Sequence, residues 1–325
     1  MNFTQPNFWR KTKLLDPLAI LLLPFSVLYF SLSLLRKLLA KPVKLPVLTI
    51  TVGNVTVGGA GKTPTAIKLM QLIEALNFSA CFLTKGYKGE LEGPEFISKN
   101  AKVKETGDEA KLLRKHAEVL VSKKRQRAGE KLAGNKYEVA ILDDGFQNPN
   151  IIHDLKILVI DSNYLFGNGL LMPAGPLRQS KRSALKEAQL ILLIGGSELP
   201  KELLPYADKV FTASYRVKGS YDPKLKYMAF SGLANNRKFF DFLKEQGLNI
   251  VEQAEFPDHY NYRKDDIVKL KKNAGTNGLT LITTSKDHVK LPQKYLEEIV
   301  EFKIELVINN QSQFLKLLKS HVKKA

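Results

Sequence analysis

The 325-residue sequence has one cysteine, one tryptophan, five histidines and a shortage of acid, with 32 Asp and Glu against 50 Lys and Arg. A lone cysteine, Cys81, excludes a disulfide framework and any cysteine-based zinc site within one chain, and fits a reducing compartment. It falls in the apolar run Ala80-Cys81-Phe82-Leu83, which reads as core rather than as a nucleophile's setting. Of the histidines, His116, His153, His288 and His321 have no ligand spacing and read as structural or solvated. His259 sits in the polar-aromatic cluster Phe256-Pro257-Asp258-His259-Tyr260. The acid deficit leaves a net charge of +18. Besides aiding solubility, so large a surplus suits a polyanionic partner: nucleic acid, anionic lipid or a phosphorylated substrate. Long disorder is excluded by 44% apolar and 25% charged residues. There is no internal repeat and no low-complexity tract, and the length fits one or two domains.

What the chain does have, near its start, is an uncharged run, LAILLLPFSVLYFSLSLL, from Leu18 to Leu35. As one helix it would be about 27 Å long, slightly short of a ~30 Å hydrocarbon core. Pro24 would kink it. Arg10, Lys11 and Lys13 precede it, and Arg36, Lys37, Lys41 and Lys44 follow. Charge on both sides sets no orientation but suits a segment lying among lipid headgroups. No small-residue cleavage site follows the run, which argues against a signal peptide. The expectation for residues 1–45 is a membrane-associating helical segment, monotopic or shallowly inserted. A single span is the second choice and a buried core helix the alternative. In either membrane arrangement a nucleotide site would face the cytosol.

Beyond Pro46 short apolar runs alternate with helical periodicity. Strands are expected at Val47–Val52, Ala80–Thr84, Val139–Leu142, Lys156–Ile160 and Leu190–Ile194, with a helix carrying the stripe Ala66, Leu69, Met70 and Ile73. This predicts a doubly wound, mostly parallel α/β domain over 46–215. A smaller α/β domain is expected over 216–325, entered through a connector at Val217–Pro223. Its strands are placed at Tyr227–Phe230, Leu279–Thr283 and Phe302–Ile308, and its helices at Arg237–Gln246 and Gln313–Ser320. The last helix has the option of packing back on the first domain.

The stretch TVGNVTVGGAGKTPTAIKL, Thr51 to Leu69, places Gly-Lys-Thr between a strand and a helix. In a P-loop the backbone N–H groups of Gly58, Gly59, Ala60 and Gly61 point at phosphate oxygens, Lys62 adds a point charge, and the Thr63 hydroxyl ligates Mg2+. Pro64 is tolerated in the first helical turn. The strict pattern wants glycine where Thr56 stands. A second strand, Val139-Ala140-Ile141-Leu142, ends in Asp143-Asp144, where a carboxylate can hold Mg2+. Asp108 opens a helix and reads either as an N-cap or as a general base toward an alcohol.

The stretches VGNVTVGGAGKTP, LTKGYKG, TGDEAKLL, LDDGFQN, DLKILVID, FGNGLLMPAGPLRQS, FSGLANNRKFF, FPDHYNY and TTSKDHVK, in this order over about residues 47–290, together resemble the tetraacyldisaccharide 4'-kinase family. That family's loop has the same shortened glycine pattern. The resemblance implies a P-loop NTPase-type domain, a smaller α/β domain and a hinge. It implies transfer of the ATP γ-phosphate to the 4'-hydroxyl of a tetraacylated, 1-phosphorylated glucosamine disaccharide in lipid A biosynthesis, at the cytosolic face of the inner membrane. It implies Asp108 as base, paired with His259 across the two domains, and Arg178 as a cation near the phosphates. Asp143 and Asp144 serve metal and phosphates; Asp144 is set with Thr63 as the metal pair and Asp143 as catalytic, with the direct ligand left open. Glu109 and Arg125 lie close by. The expected small molecules are ATP and Mg2+, and the partners an acylated disaccharide and a membrane surface, with no nucleic acid and no obligate protein partner.

Two rivals are weaker. A switch GTPase needs an N-K-x-D guanine reader, and the nearest candidate, Thr284-Ser285-Lys286-Asp287, has the wrong order; a switch ATPase would show partner-stimulated hydrolysis without an acceptor. A nucleic-acid-binding protein rests on the charge alone.

Overall fold

The computed structural model describes residues 6–10 and 16–322. Lys11 and Lys13 of the expected basic flank lie outside the described residues. The apolar run forms two helices, α1 (Pro17–Leu21) and α2 (Leu23–Leu38), joined at Leu22. Pro24 lacks the N–H and crowds the carbonyl four residues back, so it starts a second helix instead of bending one. Asp16 caps α1, its carboxylate accepting from the Leu18 amide at 2.9 Å. Among the described residues no helix is long and apolar enough to cross a membrane.

The main sheet has nine strands in the order β13-β8-β7-β6-β1-β5-β2-β4-β3. Its members are β1 (Leu48–Gly53), β2 (Ala80–Thr84), β3 (Glu95–Phe96), β4 (Val119–Val121), β5 (Val139–Asp143), β6 (Leu155–Asp161), β7 (Leu190–Ile194), β8 (Val210–Val217) and β13 (Ile304–Ile308). All neighbours pair in parallel except the edges β3 and β13, which run antiparallel. The central strands are buried throughout, as helices on both faces require. Helix α3 (Lys62–Ala75) buries Ala66, Leu69, Met70 and Ile73, the expected stripe, on one face. Strand β1 lies between β5 and β6. The chain runs from β1 past the place of β5 to β2 and later returns to fill both sides, which opens a crevice at the carboxyl ends of β1 and β5.

A second, all-parallel sheet has the order β10-β9-β11-β12, with β9 (Lys226–Ser231), β10 (Asn249–Glu255), β11 (Thr280–Thr284) and β12 (Val300–Phe302). The expected strand at Phe302–Ile308 is therefore two strands in two sheets, divided at Lys303. Strand β13 pairs with β8, and the final helix (Gln311–Val322) buries Phe314, Leu318 and Val322 in the main core. The last twenty or so described residues thus belong to the main sheet, which departs from an expected smaller domain over all of 216–325. The expected connector begins one residue too early, since β8 runs to Val217.

Candidate functional site

After β1 the chain turns sharply at Asn54. The Asn54 side-chain amide donates to the Thr56 carbonyl at 2.8 Å, and its oxygen accepts from Lys62 Nζ at 3.1 Å. One side chain therefore shapes the loop and aims its lysine. Gln147 Nε2 holds the Asn54 carbonyl at 2.7 Å. The back of the loop is fastened to the stretch around Leu177: the Val57 amide donates to the Pro176 carbonyl at 2.9 Å, and the Arg178 amide to the Val55 carbonyl at 2.7 Å. Thr56 pairs there with Leu177, so the position where the strict pattern has glycine is an edge contact and asks nothing unusual of the backbone.

Gly61 does need to be glycine. Its φ is 90°, and a Cβ would come within 2.5 Å of the Tyr215 hydroxyl and 2.7 Å of Ile194 Cδ1. Gly58, with φ 111°, is the other left-handed turn residue of the loop. Gly59 and the buried Ala60 complete the bend. No side chain caps the start of α3 at Gly61, and Pro64 stands in its first turn. A helix start left in this way is suited to an anion.

At the end of β5, Asp143 is buried and Asp144 turns away with φ 53°. The Thr63 hydroxyl donates to Asp143 Oδ2 at 3.1 Å, so the threonine meets Asp143 and not Asp144, its expected metal partner. Asp143 Oδ1 is buried with no hydrogen-bond partner. Burial, reinforced by the Glu109 charge, pushes the Asp143 carboxyl up to about 7. Asp144 behaves oppositely. Burial would raise it, but Lys62 at 3.5 Å and Arg178 at 3.3 Å, with Arg125 close by, hold it down at about 2. Arg125 itself reaches the carbonyls of both aspartates, the one on Asp144 at 3.0 Å, and so holds the turn's backbone from below.

Helix α4 (Val103–Thr106) ends at Gly107, whose φ of 84° starts α5 (Asp108–Arg114) at an angle. A Cβ on Gly107 would lie 2.3 Å from the Tyr87 carbonyl. Asp108 is 3% exposed, and its Oδ2 is 2.7 Å from His259 Nδ1. His259 comes from the loop after β10, in a turn closed by the Tyr260 amide on the Pro257 carbonyl at 3.0 Å, with φ 58°. Tyr87 packs against its ring in an inclined, T-shaped contact, centroids 5.2 Å apart. Burial would raise the Asp108 carboxyl, but the hydrogen bond from His259 and the charge of Lys286 outweigh it and hold it at about 2. A cavity of about 60 Å3 opens here, lined by Lys88, Lys104, Gly107, Asp108, His259 and Asn261 among others.

The fold thus brings Lys62, Thr63, Asp143, Asp144 and Arg178 together, and separately joins Asp108 to His259. Glu109 links the groups: its charge acts on Asp143, and its carboxylate is 3.6 Å from Lys286 Nζ. Asn54, Gln147, Tyr87, Tyr215 and Lys286 were not singled out from the sequence. Lys286 had a signal, since it stands in the quoted stretch TTSKDHVK; Tyr215 had none.

Residues 18–323 match the family described as tetraacyldisaccharide-1-P 4'-kinase, LpxK. Among curated relatives, the tetraacyldisaccharide 4'-kinase of Rickettsia akari (strain Hartford) is 40% identical over 307 residues, 94% of this chain and 93% of that one. That of Rickettsia canadensis (strain McKiel) is 42% identical over 308 residues, with the same shares. Among solved structures, the "apo" form of LpxK from Aquifex aeolicus in complex with ATP is similar with a TM-score of 0.75 and 29% identity, covering 94% of this chain and 99% of that one.

Proposed function

The chain belongs to the tetraacyldisaccharide-1-P 4'-kinase family, and from that premise we propose how its own residues divide the work. The protein is an ATP-dependent phosphotransferase of lipid A biosynthesis, acting on the 4'-hydroxyl of a tetraacyl glucosamine disaccharide 1-phosphate. The pairing of Asp108 with His259, beside a loop that aims Lys62, carries the assignment of sites. Phosphoryl transfer needs positioning and charge neutralisation more than covalent help. The loop from Gly58 to Gly61 and the start of α3 bind the phosphates, Lys62 neutralises the β- and γ-phosphates, and Arg178 approaches the transferred group. Asp108 accepts the proton of the 4'-hydroxyl, and His259 orients that carboxylate and shares its charge.

Mg2+ fits the residues present. Asp143 has an orphaned buried oxygen and an unfavourable charge, and its other oxygen already meets the Thr63 hydroxyl. We infer that Thr63 and Asp143 hold the ion and that Asp144, occupied by Lys62 and Arg178, keeps those two cations in place. When bound, the ion screens charge on the β- and γ-phosphate oxygens. The test of the phosphate site is Lys62→Ala. Losing one charge-assisted contact is expected to weaken MgATP binding by about 10–100-fold in calorimetry, with the circular dichroism spectrum unchanged. Unaltered affinity would remove Lys62 from the site.

The protein acts, on our reading, at the cytosolic face of the inner membrane through α1 and α2. Large apolar side chains crowd the exposed side of these helices, with Leu38 and Leu39 73% and 72% exposed. So large an apolar face marks a contact surface. Among the described residues of the expected basic flank, Lys37 pairs with Glu187 and Lys44 with Asp154, so Arg10, Arg36 and Lys41 are the assigned headgroup contacts. Replacing Leu28 and Leu32 together by Glu is expected to lower binding to anionic vesicles at least tenfold in flotation, about 0.8 kcal/mol being lost per unburied CH2 group. Undiminished flotation would rule the helix out as the anchor. The net charge of +18 then faces anionic lipid and the substrate's own phosphate, and the reading needs neither nucleic acid nor a protein partner.

A further inference from the structure

The segment Thr284-Ser285-Lys286-Asp287 fails as a guanine reader, yet the fold places it against the base. Thr284 caps the short helix Ser285–His288, its hydroxyl accepting from the Asp287 amide at 3.0 Å. Asp287 is fully buried and fastens the helix to its own unit. Its carboxylate accepts from the Tyr262 hydroxyl at 3.0 Å and from the Thr284 hydroxyl at 2.7 Å, and pairs with Lys290 at 2.7 Å. The helix so fixed points Lys286 out at α5. Its Nζ stands 3.3 Å from His259 Nε2 and 3.6 Å from Glu109 Oε1.

A lysine ammonium has three donors and no acceptor. His259 Nε2 can accept from it only while that nitrogen has no proton of its own. The ring's one proton is then on Nδ1, where it is donated to Asp108 Oδ2. Other charged groups surround His259. Asp108 on α5 and Asp258 in its own turn, whose Oδ2 is 3.8 Å from Nε2, offer it carboxylates; Lys88 and Lys104 line the same cavity, and Tyr87 packs at an angle to the ring. Burial would strip Lys286 of its charge, but Glu109, Asp108, Asp258 and Asp287 outweigh it and keep the amine protonated.

Resting on the reading of Asp108 as the base, we propose that Lys286 is a positioning residue that holds His259 in its singly protonated, Nδ1–H form. With the imidazole neutral, Asp108 keeps a full negative charge for the substrate's proton. Without the lysine, His259 takes up a second proton in the presence of two carboxylates, and its charge weakens the base. Lys286 also gives the smaller unit a second hold on α5, through Glu109, beside that of His259 on Asp108.

The experiment compares Lys286→Met and Lys286→Arg, each alone and with His259→Ala, using the full chain, MgATP and the tetraacyl disaccharide 1-phosphate in detergent. Lys286→Met is expected to lower kcat about 10–100-fold at pH 7, with KM for MgATP within about twofold, and to move the acidic limb of the kcat profile up by about one pH unit. Lys286→Arg, still a donor to Nε2, is expected to recover most of kcat and return the limb. In the His259→Ala background, Lys286→Met is expected to add less than about threefold, because it acts through the missing ring. An unmoved limb, or a full additional loss in that background, would overturn the proposal. If His259→Ala alone keeps wild-type kcat, the dyad reading falls and the lysine's role with it. Should Lys286→Met fail to fold, 15N shifts of the wild-type histidines, with His259 assigned by its loss in His259→Ala, decide the matter. A ring protonated on Nδ1 alone at pH 7 supports the proposal, and one protonated on both nitrogens overturns it.

Discussion

Asparagine at position 108 is expected to lower kcat by roughly 10²–10⁴-fold while leaving MgATP affinity within about twofold. The substitution keeps the shape of the side chain and leaves an oxygen to accept from His259 Nδ1, so the turn at Gly107 and the approach of the smaller unit are preserved. What it removes is the ability to take the alcohol's proton. Asp108 is held at about 2, well below the ordinary carboxylate range. A folded value depressed in this way contributes stability at every pH above the unfolded value, and that contribution is lost as pH falls from about 3.8 through about 2. The Asp108 carboxylate is therefore ionised throughout the physiological range, and its own protonation sets no activity limit between pH 5 and 8. The variant also forfeits that stabilisation and is expected to melt lower at pH 7. Single-turnover kinetics separate the outcomes. A kcat within tenfold of wild type would show that another group takes the proton, and an equal loss in nucleotide affinity would show a structural role.

The second large effect has the opposite sign in stability. Asp143→Asn is expected to reduce kcat by about 10³-fold or more and yet to raise the melting temperature of the nucleotide-free protein at pH 8 by about 2–5 °C. Asp143 is pushed up to about 7 by burial and by the Glu109 charge. A carboxyl whose folded value lies above its unfolded one weakens the fold as pH rises from about 3.8 to about 7, because folding then forces a charge into a site that disfavours it. Asparagine has no charge to force, so its advantage is full at pH 8 and shrinks toward pH 4. Saturating MgATP is expected to reverse the order, since only the aspartate gains a cation on its bare oxygen. Thermal scans over pH 5–9, with and without MgATP, check both parts. A variant less stable than wild type at pH 8 without ligand would contradict this account of the site.

Several of these features were legible in the sequence and others were not, for physical reasons. Strands buried on both faces announce themselves: Ala80–Thr84 and Leu190–Ile194 were read residue for residue, because helices covering both faces leave no polar position. Strand β10, Asn249–Glu255, went unread because it is an edge strand alternating exposed and half-buried residues, several of them charged. The helix Lys264–Thr276 buries only Ile267, Leu270 and Ala274, too narrow a stripe to stand out from its lysines. Strand β8 also went unread, because only Phe211 and Ala213 of its eight residues are buried and the rest are half-buried or exposed. In the site, the glycine loop and the aspartates were legible because each needs a residue type in a fixed local setting. Asn54 and Lys286 act through partners 8 and 27 positions away, and local pattern does not report such pairings. The juxtaposition of Asp108 with His259, 151 positions apart, was available only through family resemblance.

The way residues 218–303 leave the main sheet at β8 and re-enter it at β13 has a mechanical consequence. The two crossings lie side by side, with the Lys218 amide on the Lys303 carbonyl at 2.9 Å and Val217 in register with Ile304. A lobe tethered twice at one spot can swing about that double strand but has little freedom to slide or to spin about its own axis. Any swing of that kind would carry His259 and Lys286 away from Asp108 and Glu109, or back to them, together.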